Sequence, residues 1–336
     1  MAKKVEDADY KLAQPLVWIL VLHWRGLNFT RACLDSVQKL TYQNYKVLLV
    51  DNGSDEHDGE KLAKEFPEVT LLSLTENFGF AGGCNRGMEY CLANGADFIW
   101  LINNDAKVAP DSLSILVEQA KTDQKAGALG GAVVDSLTAQ EKHIEASRGT
   151  INFRSAKTKV VSQPVAEPVY CDWLHGSNLL LRATTLGAVG LFDERYFLYF
   201  EDTELCHRIN LKGWKCLFVP DAFIEHLGSA STQDSRKHWR SYYYIRNRFL
   251  FFNTYLKGAA ALPATFNMLT HVARHALVLP FRGDEGRKKL RAELLGTRDY
   301  FSHKFGRATC LDWCEPGKND SYCTPLAACV FLYPVL

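Results

Sequence analysis

The chain predicts an α/β fold: a mostly parallel sheet flanked by helices, with a helical C-terminal extension. Three observations carry that expectation. Strand-like apolar runs and amphipathic helical segments alternate over about 120 residues, the pattern of parallel βαβ units. The runs end in polar residues, at His23, Asp51-Asn52 and Asn103-Asn104-Asp105. Beyond residue 235 the pattern turns aromatic, basic and helical. Right-handed crossovers put successive strand ends on one side, and open α/β sheets place their ligands there.

Each element follows from its residues. Residues 16–22 are a continuous run of Val, Ile and Leu around one Trp, which suits a strand buried on both faces. In residues 27–40, Leu27, Ala32, Cys33, Val37 and Leu40 recur at helical spacing. Residues 47–50 read as a second strand, 58–66 as a helix and 69–74 as a third strand. Residues 81–94 are helical in pattern, 98–102 form a fourth strand, and Pro110 stands where the next helix opens. Residues 127–134 read as a further strand, with polar, hairpin-like material after them. Residues 179–182 are strand-like, Glu201-Asp202 opens a helix, and apolar residues at 216–220 and 222–224 lead to His226.

Composition narrows the class. The 336 residues are 47% hydrophobic and 23% charged, with a formal net charge of +1. These are ordinary globular values, and the charge balance argues against a nucleic-acid partner. The organisation expected is a polar leader (1–14), a catalytic α/β domain (15–235), helices packed on it (236–307) and a Cys-containing tail (308–336). The leader lacks an apolar signal core and no run of eighteen apolar residues occurs, so a cytoplasmic location is expected. Six of the ten cysteines are scattered and read as small buried hydrophobes. Cys310, Cys314, Cys323 and Cys329 crowd the tail, without the tight pairs of common zinc sites.

The strand ends carry the chemistry. A carboxylate flanked by amides, as in Asn103-Asn104-Asp105, suits a hard divalent cation, although a strand ending in Asn-Asp also begins turns. Asp51 can accept from a nucleobase or ribose, or equally close an Asx turn. The segment Asn77-Phe78-Gly79-Phe80-Ala81-Gly82-Gly83-Cys84-Asn85-Arg86-Gly87 is a glycine-rich loop running into a helix. It reads as close backbone approach to an anion, with Arg86 adding charge. No G-x-G-x-x-G follows the first strand, which argues against a dinucleotide site. Glu201 and Asp202 satisfy a helix dipole whatever else they do, and His226 alone reads as a core histidine.

Taken together, these motifs resemble glycosyltransferase family 2. Asp51-Asn52-Gly53-Ser54, the glycine-rich segment, Asn103-Asn104-Asp105, Gly190-Leu191-Phe192-Asp193-Glu194, Tyr199-Phe200-Glu201-Asp202, His226 and Arg246-Asn247-Arg248 stand in the family's order over residues 15–250. The likeness is to its rhamnosyltransferase-like branch. It implies a Rossmann-like GT-A fold, a nucleoside-diphosphate-sugar donor (dTDP- or UDP-linked) and Mg²⁺ or Mn²⁺. By the same resemblance Asp105 and His226 hold the metal, and Asp202 is the base of an inverting transfer. His23, Asp51, Asn77, Gly82, Gly83, Asn85, Arg86, Asn103 and Asn104 line the donor site. Trp173, His175, Gly176 and Glu201 fall where the sugar and acceptor pocket is shaped. The chain departs from the family's DxD pattern, because Asn103 replaces the first acid.

The acceptor implied is a glycan or lipid-linked saccharide in surface-polysaccharide assembly, which leaves room for peripheral membrane contact and homo-oligomers. Trp239, Tyr242, Tyr243, Tyr244, Phe249, Phe251 and Phe252, interleaved with Arg240, Arg246 and Arg248, suit either a membrane interface or a helical cap. The basic run Arg287-Lys288-Lys289 with Arg291 suits anionic lipid or a solvated face. A same-fold nucleotidyltransferase and a non-catalytic nucleotide-sugar or glycan-binding protein are the competing readings.

Overall fold

In a computed structural model, which describes residues 14–54, 57–138, 144–146, 148–226 and 237–309, alternate residues of the first strand set the layering. The elements run β1 (Val17–His23), α1 (Leu27–Val37), β2 (Tyr45–Asp51), α2 (Asp58–Glu65), β3 (Val69–Ser73), α3 (Gly79–Ala93), β4 (Phe98–Asn103), β5 (Ala106–Val108), α4 (Ser112–Thr122) and β6 (Ala126–Val134). Then come β7 (Ile144–Ala146), β8 (Arg148–Asn152), β9 (Lys157–Val161), β10 (Val169–Cys171), β11 (Trp173–Leu174), β12 (Asn178–Arg182), α5 (Ala183–Val189), α6 (Glu201–Leu211) and β13 (Lys215–His226). Three helices follow: α7 (Lys237–Tyr255), α8 (Ala261–Val278) and α9 (Gly283–Phe301).

Side chains of a strand alternate between faces. Val17, Ile19 and Val21 therefore share a core with Cys33, Leu34 and Val37 of α1 and Leu113, Leu116 and Val117 of α4. Trp18 and Leu20 join Ala81, Cys84, Met88 and Cys91 of α3 and Leu205, Cys206 and Ile209 of α6 on the other face. Each fully buried aliphatic side chain of this kind contributes about 1.5–3 kcal/mol. Five of the six scattered cysteines are buried and Cys171 is half-buried; all six are free thiols.

One ten-stranded sheet runs β10-β13-β6-β12-β4-β1-β2-β3, with β5 added on β13 and β7 on β6. β3, β2, β1 and β4 are mutually parallel, as are β6 and β13. Between these halves β12 runs antiparallel to both neighbours. That reversal brings the residues before Asn178 to the edge where β4 ends, because Asn178 pairs with Ile102. The apolar runs at 216–220 and 222–224 join into one strand. Its register with β6 shifts between Val219 and Phe223, a break that accommodates Pro220. A small second sheet, β11-β8-β9, takes up the hairpin-like middle.

The aromatic helix α7 fits the helical-cap reading of the two that its sequence allowed. Tyr242, Tyr243, Phe249, Phe251 and Phe252 are buried, as are Arg246 and Arg248. These residues make the stretch a packed helix, with Tyr244 and Arg240 on its exposed side. Of the basic run, Arg287 and Lys288 pair with Asp284 on α9 itself. Among the described residues no helix is long and apolar enough to cross a membrane. The four tail cysteines lie outside the described residues.

Candidate active site

Register places the polar strand ends together. His23 pairs with Asp51 across β1 and β2, Leu22 with Asn103 across β1 and β4, and Asp51 with Ser73 across β2 and β3. Beyond Asn103, β5 turns back antiparallel to β13, setting Ala106 against His226. Asp105 is thereby delivered beside the end of β13, and its Oδ1 lies 3.2 Å from His226 Nε2. Two residues far apart in sequence thus present one carboxylate oxygen and one imidazole nitrogen side by side. Magnesium is commonly held by one or two carboxylates plus substrate phosphates, and imidazole favours transition metals. The donor set fits a divalent cation that borrows ligands from a diphosphate.

Asp202 sits in the first turn of α6 and is itself tied down. The Gly176 amide donates to its Oδ2 at 3.0 Å, and the Thr203 amide and hydroxyl donate to Oδ1 at 2.6 and 3.2 Å. Carboxylate oxygens accepting hydrogen bonds in this way are fixed in direction. A Cβ added at Gly176 would come into van der Waals contact with both Asp202 and Phe80. Next to it, the Ser177 amide donates to His175 Nδ1 at 3.3 Å, which leaves the ring proton on Nε2. Burial lowers the His175 pKa, against the opposing pull of Asp202 and Asp105, and His226 lowers it further. The imidazole is therefore neutral, and it lies within electrostatic reach of both Asp202 and the Asp105–His226 pair.

Glu201 behaves differently from its neighbour. It is 5% exposed, and its Oε2 has no hydrogen-bond partner among the described residues. Burial, then the adjacent Asp202, hold its carboxyl well above the usual carboxylate range. The unfolded chain releases this proton near the ordinary 4.5 while the folded chain keeps it. Stability from this group is therefore greatest at acid pH and falls as pH rises. Glu201→Gln removes that fall, so its Tm relative to the wild type climbs between about pH 5 and pH 8. A pH-independent offset in scanning calorimetry would mean that Glu201 ionises normally.

The approach to α6 is strained. Phe197, Tyr199 and Phe200 have φ of 61, 68 and 76°, left-handed values that non-glycine residues rarely hold. Asn247, fully buried on α7, donates to the carbonyls of Tyr196, Leu198 and Tyr199 at 2.9, 2.8 and 2.7 Å. Arg246 bonds the Arg195 and Tyr196 carbonyls at 3.0 Å each. These contacts offset the cost of a conformation that aims Glu201 and Asp202. In the sequence, Arg246-Asn247-Arg248 carries no task of its own; its signal is three consecutive polar residues between the aromatic runs 242–244 and 249–252.

The glycine-rich segment differs from expectation. It forms the first turns of α3, and the Phe80 and Ala81 amides donate to the Phe197 carbonyl at 2.7 and 3.2 Å. The helix N-terminus thus caps a protein carbonyl. Gly83 and Gly87 are close-packing positions, where a Cβ would press on Leu22 and Leu20. A Cβ at Gly82 would approach Phe78, Arg86 and Glu194. Arg86 lies over the Phe78 ring and pairs with Glu194 at 3.0 Å, so its charge is matched within the protein. Asn85 is buried and bonds the Phe192 backbone in both directions. Asn77 accepts from the Gly79 amide at 2.7 Å. Asn52, which in the sequence is only part of a polar strand end, ties β2 to this segment. Its side chain donates to Asn77 and to the Gly79 carbonyl, and accepts from the Phe78 amide.

The remaining positions divide similarly. Asp51 is 8% exposed; its Oδ1 accepts from the Ser54 amide at 2.9 Å, an Asx-type turn, and its other oxygen packs over Gly59. His23 is fully buried, with Nδ1 2.7 Å from the Thr30 hydroxyl, and burial lowers its pKa. Asn104 donates to that same hydroxyl and to the Arg25 carbonyl, behind the edge. Asn103 ends β4, half-buried. Trp173 is buried in the core beside Gly149, and its indole N–H has no partner among the described residues. The structure therefore brings Asp105, His226, His175, Gly176, Asp202 and Glu201 together. It engages His23, Asn85, Arg86 and Asn104 in holding the scaffold.

Comparison with known proteins bears on this arrangement. The model of "Glycosyl transferase family 2" matches residues 18–173, and that of "Glycosyl transferase family group 2" matches residues 98–333. The N-acetylglucosaminyl-diphospho-decaprenol L-rhamnosyltransferase of Mycobacterium tuberculosis is 33% identical over 220 residues, covering 59% of this chain and 72% of the relative. The dTDP-rhamnosyl transferase RfbF of Shigella flexneri is 25% identical over 221 residues, covering 64% and 73%. Among solved structures, the mannosyltransferase PcManGT of Pyrobaculum calidifontis with GDP-Man and Mn²⁺ superposes with a TM-score of 0.53. It has 15% identity and covers 87% of this chain and 89% of that one. GalNAc-T7 with UDP, GalNAc and Mn²⁺ gives 0.55 at 19% identity, with 63% of this chain matching 43% of that one. At such identities the structural likeness speaks for the fold, which is GT-A. The chain belongs to glycosyltransferase family 2, and is a transferase of its rhamnosyltransferase-like branch.

Proposed function

We propose that this transferase is inverting and metal-dependent, and that it moves rhamnose or a related sugar from a dTDP- or UDP-sugar to a hydroxyl of a lipid-linked saccharide. The observation that carries the reading is that Asp202 and the Asp105–His226 pair both lie within electrostatic reach of neutral His175. The names of the M. tuberculosis and S. flexneri relatives support the sugar and, for the first, the lipid-linked acceptor.

Asp202, held by the Gly176 and Thr203 amides, is oriented to take the proton of the acceptor hydroxyl as it attacks the anomeric carbon. A single displacement from the face opposite the leaving diphosphate inverts configuration. Glu201 stays protonated beside it, so the two acids do not compete for that proton. Asp105 and His226 would hold a divalent cation, whose charge would help neutralise the departing diphosphate. The mixed oxygen–nitrogen pair favours Mn²⁺ over Mg²⁺.

A thermal-shift panel of UDP-, dTDP- and GDP-sugars, each with and without Mn²⁺, tests this reading. At least one dTDP- or UDP-sugar should raise the Tm, and only when Mn²⁺ is present. No metal-dependent stabilisation by any donor would count against it.

A further inference from the structure

Helix α8 is apolar on two opposite sides. Ala264, Met268 and Val272 are buried and share a core with Phe249, Phe251 and Phe252 of α7. On the far side Leu262, Phe266, Leu269 and Leu277 are exposed by 68, 67, 40 and 73%. At 3.6 residues per turn these four fall on one stripe. Phe281, in the turn that follows, is 88% exposed. A surface helix needs one apolar stripe to fold, and singly exposed apolar residues need no explanation. Five large ones along one helix and its exit turn go beyond what packing requires.

The charge along the stripe is mainly positive. Residues 256–283 contain no Asp or Glu, while Lys257, Arg274 and Arg282 are exposed; the acids that follow Phe281, Asp284 and Glu285, are exposed but pair with Arg287 and Lys288 on the same helix. Face-to-face pairing with a second copy would set these cations against one another. An anionic lipid surface complements them, and an apolar stripe edged with cations is the pattern of a helix lying in the interface plane. Among the described residues no helix is long and apolar enough to cross a bilayer.

We propose that the outer stripe of α8, with Phe281, seats this transferase on a membrane surface bearing anionic headgroups. This deepens the lipid-linked-acceptor reading, because the enzyme would work where such an acceptor resides.

The test is co-flotation of the full chain with vesicles of phosphatidylcholine, with or without phosphatidylglycerol. The comparison is between wild type and the variant Phe266→Ser/Leu277→Ser/Phe281→Ser, whose changes touch only exposed positions. The wild type should bind phosphatidylglycerol vesicles preferentially, and the variant should bind them about tenfold or more weakly. Metal-dependent stabilisation by donor should be the same in both. Equal binding by wild type and variant overturns the proposal. So does a wild type that ignores vesicles. A wild-type dimer that the variant splits, with vesicle binding unchanged, also overturns it. Failure of the transferase reading would show separately, as no donor stabilisation in either protein.

Discussion

Asp202→Asn should lower sugar transfer by about 10²–10⁴-fold while leaving the donor bound, since a positioned general base is worth about that much. The substitution keeps the shape of the side chain and removes the basic oxygen. Both carboxylate oxygens accept from backbone amides, Gly176 on one and Thr203 on the other. Asn can satisfy only one of these donors, and the lost bond costs about 0.5–1.5 kcal/mol of stability. That cost would appear as a modest fall in Tm, too small to account for the rate. The kinetic signature is a fall in kcat with the donor KM little changed, because the base acts only as the transition state forms. Neighbouring Glu201 provides the internal control. Its carboxyl is held protonated by burial, so Glu201→Gln should retain most activity. Turnover within a few-fold of wild type in Asp202→Asn would remove it from the base position.

The parallel half of the fold could be read because strands buried on both faces are continuous apolar runs with abrupt polar ends. β1 and β4 are of this kind, and their ends did mark one edge. The direction of β12 could not be read, since Asn178–Arg182 has the same apolar pattern either way. Yet its reversal is what carries His175 and Gly176 to the Asp105 side. Glycines 82, 83 and 87 announced a close approach but not what approaches, and the answer is Phe78, Leu22 and Leu20. The strained residues 197–200 carry no glycine to betray positive φ. Their support comes from Asn247, some fifty positions on, a link that no local pattern contains. Chemistry concentrated at strand ends was legible, whereas the long-range bonds that aim it were not.

Asp105→Ala should abolish the Mn²⁺-dependent part of donor binding. The departure at Asn103 leaves Asp105 as the only acid of its motif, so no second carboxylate there can take over. His226 remains, but a lone imidazole lacks the negative charge that draws a hard cation. Losing even an outer-shell partner of a metal site commonly costs about 10–100-fold in affinity, and losing the anionic ligand itself should cost at least that. Titration calorimetry of the donor with and without Mn²⁺ reads the effect directly. In the wild type the metal should tighten binding, and in Asp105→Ala the two curves should coincide. His226→Gln should fall between them, because it keeps the carboxylate and removes a neutral ligand. Asp105 lies between β4 and β5, whose pairings with β1 and β13 are backbone contacts. The variant should therefore still fold, and its circular dichroism should match the wild type. If Asp105→Ala folds and Mn²⁺ still tightens donor binding in it, the end of β4 is a turn and the metal, if any, is held elsewhere.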